Sequence, residues 1–229
     1  MVRLNAPSRL SVADSFLFGM ANATLLFTVI YYITGLHEPF RLGFATEDGP
    51  VEWGTAICLF LSSLVLFRNA FALWGRRGVT AALLTGFYGL LFFFASGEEI
   101  SWGFRLFHWQ ASEFFLQHNA QQETNLHNLV VGDVKLVKTV FGSGLTVMIM
   151  LYLLVLPLVY TRLDAVRRIA DALAVPVPES RHMLMTVAAT LVILSVQMMT
   201  KWESYEFIFS LMALSIFLNP RNADQVTNR

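Results

Sequence analysis

A chain of 229 residues that is 55% apolar and only 14% charged cannot clothe itself in a water-facing surface, because soluble domains carry about a quarter charged residues. Its 16 basic residues balance its 16 acidic ones. No basic stripe or aromatic-basic interleaving is present, which argues against nucleic acid as a partner. The single Cys58 excludes an internal disulfide and sits among Ile57, Leu59 and Phe60 as a small apolar filler.

These values predict an all-α integral membrane protein whose partner is the lipid bilayer. A span needs about 20 mainly apolar residues. Runs at 15–36, 51–74, 79–97, about 140–160 and 183–200 approach or meet that length. A sixth, 202–218, is shorter and carries Glu203 and Glu206 in its first turns, so a tight hairpin is expected near Lys201. Arg3 and Arg9 precede the first run as a basic n-region would. The run is too long for an h-region, however, and no small-residue cleavage site follows, so an uncleaved first helix is expected. Asp133 is a candidate N-cap upstream of the fourth run. Val175-Pro176-Val177-Pro178 reads as a loop after the Arg167-Arg168 pair. The whole reads as one polytopic domain over 1–220 with a short cytoplasmic tail at 221–229.

Charge sets the orientation. With the N-terminus inside and six alternating spans, the cytoplasmic segments collect Arg3, Arg9, Arg68, Arg76, Arg77, Arg162, Arg167, Arg168, Arg181, Arg221 and Arg229. The other side holds few cations and most of the acids, among them Glu47, Asp48, Glu52, Glu98, Glu99, Glu123, Glu203 and Glu206. This is the positive-inside pattern. It predicts both termini in the cytoplasm of a cell with an inner membrane.

The same topology gathers His37, His108, His118 and His127 on the extracytoplasmic side. The segment 98–129 is rich in Phe, Trp and Leu, so it is expected to lie in the membrane interface or to re-enter the bundle between the third and fourth helices. If the third helix continues through Gly97-Glu98-Glu99-Ile100-Ser101-Trp102-Gly103-Phe104-Arg105, then Ser101 and Arg105 share a face near Glu98, and Glu99 points elsewhere. An acid at the membrane boundary needs a partner, and Arg105 is the obvious one. Glu98 or Glu99 is then a ligand or general base, or alternatively half of an ion pair that ends the helix. Glu123 and His127 are four apart, a spacing that suits two metal ligands or a carboxylate orienting an imidazole. His118 lies just upstream, amid Asn119, Gln121, Gln122, Asn125 and Asn128. Glu52, behind the turn Asp48-Gly49-Pro50, is explained by a helix N-terminus alone. Glu203, entering the bilayer on a short helix, is the best candidate to join the site from elsewhere.

The strings Glu47-Asp48-Gly49-Pro50-Val51-Glu52-Trp53, Gly97-Glu98-Glu99-Ile100-Ser101-Trp102-Gly103 with Arg105, His118-Asn119-Ala120-Gln121 and Glu123-Thr124-Asn125-Leu126-His127-Asn128 resemble a family of uncharacterised bacterial multi-pass membrane proteins. That family carries a Gly-Glu-Glu-Ile-Ser-Trp-Gly-Gln-Arg string followed by Asn-Leu-His-Asn. The resemblance covers roughly residues 45–130. Phe104 stands where the family has Gln, so any role for that amide is missing here. The resemblance implies a shared site without naming its chemistry.

No GxSxG elbow, HExxH pair or Gly-rich phosphate loop is present. The expectation from the residues is an extracytoplasmic-facing polar site. Glu98, Glu99 and Arg105 are its catalytic candidates. Glu123, His127, His118 and Glu203 are candidate ligands to a divalent metal such as zinc, manganese or iron. The substrate class expected is a lipid or lipid-linked molecule under hydrolysis or group transfer. The alternative is a transporter, sensor or partner subunit whose polar cluster is structural.

Overall fold

A computed structural model describes residues 10–126, 128–130 and 144–227, with Arg105 by its backbone alone. Asp133, the start of the fourth run and His127 lie outside the described residues. The described chain is helical, without strands; the backbone makes one isolated antiparallel bridge, between Asn119 and Leu129.

Four helices are long and apolar enough to cross a membrane: α1 (Val12–Ile33), α2 (Pro50–Arg77), α3 (Val79–Glu99) and α4 (Leu145–Arg162). Two further helices, α5 (Ser180–Ser195) and α6 (Lys201–Leu218), complete the bundle. Their ends follow local chemistry. Ser11 caps α1 by accepting from the Asp14 amide, and the Asp14 carboxylate accepts back from Ser11, a capping box. Pro50 starts α2, where its missing N–H costs nothing. Within α4 the turn Leu151–Val155 widens to π geometry just ahead of Pro157. The proline ring and its missing amide disturb the regular ladder there.

The fifth predicted run, 183–200, is helical only to Ser195. Residues 196–200 form the link to α6, closed by Thr200 in the left-handed region (φ 59°). Lys201 Nζ donates to the Val196 carbonyl across this link. The third helix also stops where continuation was the alternative. It ends at Glu99, and Ser101, Trp102 and Gly103 take successive φ values of 48°, 55° and 73°. Three left-handed residues in a row cannot extend a right-handed helix.

α6 is the central element. Most of it is buried, and its Ile208, Leu211 and Met212 pack with Leu17 and Leu25 of α1, Cys58 of α2 and Met185, Ala189 and Ile193 of α5. Small residues permit close approach, as membrane helices require: a Cβ at Gly54 of α2 would lie 2.6 Å from the Phe207 ring of α6. The outer surface is apolar. Leu26, Phe27, Phe71, Leu83, Leu90, Leu184, Leu191 and Leu194 are all exposed. An apolar exterior around helices whose backbones bond internally suits lipid as solvent.

Candidate functional site

The bundle end that carries Glu52, Glu99 and Glu203 is built from three strings of sequence. The first is the turn before α2. Asp48 adopts φ 56° and its amide donates to the Glu52 carboxylate, so Glu52 serves the helix start.

The second and third are the turn after α3 and the loop 119–128, which interlock. Glu98 is buried and accepts from Trp102 Nε1 at 2.7 Å and from the Leu126 amide at 2.6 Å. Gly97 makes room for this, since a Cβ there would sit 2.7 Å from the Trp102 ring. Ser101 Oγ donates to Glu123 at 2.6 Å, and Asn125 Nδ2 donates to Ser101 Oγ at 2.8 Å. Asn119 Nδ2 donates to the Asn125 carbonyl and to its Oδ1 at 2.9 and 2.8 Å. Ser101, Asn119, Glu123 and Asn125 are all buried. The strained turn is thus held by bonds from both sides, which is how unfavourable backbone persists at functional sites. An outer link adds to it: Gln121 Nε2 donates to Glu47 at 2.8 Å and Asn128 Nδ2 donates to Gln121 at 2.6 Å.

Glu99 turns the other way, toward α6. There Glu99, Glu203 and Glu206 each offer a carboxylate oxygen, all within 4.8 Å of one another. Glu203 and Glu206 are three apart and share a helix face. Glu99 and Glu203 are half-buried and Glu206 is open. Glu52 lies close enough to repel all three, and Glu47 close enough to repel Glu203. Among the described residues none donates a hydrogen bond to these three carboxylates. Like charges so crowded need compensation, and an all-oxygen set from rigid helices is the donor chemistry of a hard divalent cation.

The structure therefore brings Glu99 and Glu203 together and adds Glu206. Glu98 and Glu123 belong to the adjoining hydrogen-bonded frame. His118 ends the short helix Glu113–His118, is exposed, stacks on Phe114 at 4.8 Å and bonds the Phe114 carbonyl through Nδ1. It is outside the carboxylate group. Residues 121–124 are turns and bends, so Glu123 is not carried on a regular helix. The Arg105 side chain and His127 are outside the description.

A second polar centre, at the opposite end, has no sequence signature. His182 Nδ1 accepts from the Glu179 amide at 3.0 Å, so the ring proton sits on Nε2 and points at Ser215 Oγ, 3.0 Å away. Ser215 Oγ donates onward to Asp14 Oδ1 at 2.6 Å. Asn219 Nδ2 donates to Asp14 at 2.9 Å, and Arg181 lies 3.3 Å from it. The three relay residues are buried. Because His182 donates to Ser215, it cannot serve as that hydroxyl's base. The Asp14–Ser215–His182 relay is a clamp between α1, α5 and α6 and not a nucleophile with its base.

The fold and its apolar exterior define a membrane protein, all-helical among its described residues, with a cluster of carboxylates at one end. Comparison with protein-family models, with curated proteins and with solved structures finds no match.

Proposed function

We propose that this protein binds a divalent cation at Glu99, Glu203 and Glu206 and uses it in hydrolysis or group transfer on a lipid or lipid-linked substrate. The observation that carries the reading is the approach of three carboxylates, from two helices, to within 4.8 Å. Manganese or magnesium suits such donors better than zinc, which favours nitrogen and sulfur. A bound cation would supply an activated water or polarise a phosphoryl or carbonyl oxygen. The protein's own part is positional. Glu98 ties the end of α3 to the loop at Leu126, and Ser101 with Asn125 holds Glu123, so the backbone that carries Glu99 is rigid.

The same reading has six spans. α5 and α6 have 16 and 18 residues, about 24 and 27 Å at 1.5 Å per residue, close to the roughly 30 Å hydrocarbon core. Their side-chain pairs, His182 with Ser215 and Thr190 with Tyr205, run antiparallel. Exposed Leu106, Phe107, Trp109, Phe114 and Leu116 support an interfacial segment between α3 and α4. The arginine-rich end, with Arg76, Arg77, Arg162, Arg167 and Arg168, supports a cytoplasmic location for the termini. The carboxylates then face the extracytoplasmic side of an inner membrane.

The alternative, a transporter, sensor or partner subunit, draws on one observation: Glu98 and Glu123 are engaged by their own chain. Elemental analysis separates the readings. After manganese loading and desalting, the wild type should retain about one ion per chain and Glu99→Gln/Glu203→Gln none. Lipid vesicles incubated with the loaded protein should yield a new product by mass spectrometry, absent with the variant. Metal without product favours a carrier or sensor. Equal metal in both proteins removes these carboxylates as the site.

A further inference from the structure

The seam between α2 and α6 opens to the outside as a groove of about 360 Å³, lined by Leu61, Leu64, Val65, Leu214 and Leu218, with Arg68 among its walls. Its apolar lining matches an acyl chain. Its one charged group does not match bare hydrocarbon, because an arginine at bilayer depth is costly unless it reaches the interface or an anion. Arg68 is exposed. Its one hydrogen bond among the described residues is to the neighbouring Asn69 Oδ1 at 3.3 Å, and no carboxylate there pairs with it. Three other cations of this end are engaged by their own chain: Arg76 and Arg77 donate to the Thr227 and Gln225 carbonyls, and Arg167 pairs with Asp164; Arg68 is the cation that lines the groove.

Depth fits a headgroup. Asn69 Nδ2 reaches the Phe217 carbonyl, so Arg68 stands level with the last turn of α6, which ends at Leu218. Along α2 it lies about 24 Å from Glu52 at 1.5 Å per residue, most of the roughly 30 Å hydrocarbon thickness. A guanidinium there can extend its stem over the leucines and offer its planar donors to a phosphate.

We propose that this groove holds one anionic phospholipid, an acyl chain lying along Leu61, Leu64 and Leu218 and its phosphate paired with Arg68. The site is independent of the carboxylate cluster at the other end of the same seam. A headgroup without a cation of its own is favoured, because the surrounding end is rich in arginine and would repel choline.

The full chain, purified in mild detergent and mixed with phosphatidylglycerol or phosphatidylcholine, is read by native mass spectrometry. The wild type should retain about one phosphatidylglycerol per chain. Arg68→Gln should weaken retention about tenfold or more, since a charge-assisted contact is lost. Leu64→Trp, on an exposed position that leaves the arginine in place, should weaken it comparably by filling the groove. Equal retention by Arg68→Gln and wild type overturns the proposal, as does equal retention of the two lipids. Loss in Arg68→Gln with full retention in Leu64→Trp also overturns it, reducing the contact to surface charge. An unaltered melting temperature in both variants excludes misfolding as the cause.

Discussion

Removing a carboxylate from the Glu99, Glu203 and Glu206 group should stabilise the metal-free protein. With oxygens no more than 4.8 Å apart, each ionised pair repels by about 3.5 kcal/mol at an effective dielectric constant of about 20. Three such pairs amount to about 10 kcal/mol, as much as the whole stability of an ordinary domain. The uncompensated trianion is therefore not a resting state, and a cation or protons must offset it. Glu206→Gln deletes two of the three pairs and keeps the side chain's size. Thermal unfolding in detergent with a chelator should show Glu206→Gln melting above the wild type. With manganese at about 100 times its dissociation constant, the wild type should gain about 2.7 kcal/mol, roughly 5–10 °C for a chain of this size. The variant should gain much less. Glu113→Gln, on the short helix before His118, serves as control and should respond as wild type. A Glu206→Gln protein that melts below wild type in chelator, with an undiminished response to manganese, would refute the reasoning.

Three other outcomes follow from close contacts. Gly97→Ala drives a methyl to 2.7 Å from the Trp102 ring and should displace it from Glu98, costing about 1–3 kcal/mol; the melting temperature should fall and the tryptophan emission shift. Gly54→Ala meets Phe207 at 2.6 Å and should cost a similar amount, of which Phe207→Leu restores part when combined with it. Additive losses in that double-mutant cycle would mean the two helices relax independently. Asp14→Ala strips Ser215 and Asn219 of a buried acceptor and Arg181 of an ion partner and should cost about 3 kcal/mol or more, measured by denaturant unfolding.

The helices were legible because a membrane span writes itself as one long apolar run, and α1, α2 and α3 lie within a few residues of their predicted bounds. The turn after α3 was legible only in part. Nothing in Ile100-Ser101-Trp102 announces positive φ, and Gly103 is the lone residue there that favours it. That conformation is held by Glu123 and Asn125, which bond Ser101 from more than twenty residues away, a tertiary effect that overrides local preference. Glu203 was singled out by the cost of an acid on a membrane helix. Glu206 carried the same cost and the three-residue spacing that puts it on the same face, so its membership was available from the sequence. The Asp14, His182 and Ser215 clamp was not, because its members are joined only by the folding of α1 and α5 against α6.

That clamp has a consequence for the order in which the protein is made. Asp14 and Ser215 are separated by 201 positions. At about 5–20 residues per second, the ribosome delivers the partner about 10–40 s after the acid. Throughout that interval the Asp14 carboxylate has Ser11 beside it but not Ser215 or Asn219, which complete its shell. It must wait at the membrane surface, hydrated or held by the insertion machinery, and it locks into place only when α6 arrives. α6 thus closes α1 into the bundle, and a nascent chain cut short of α6 leaves Asp14 without Ser215 and Asn219.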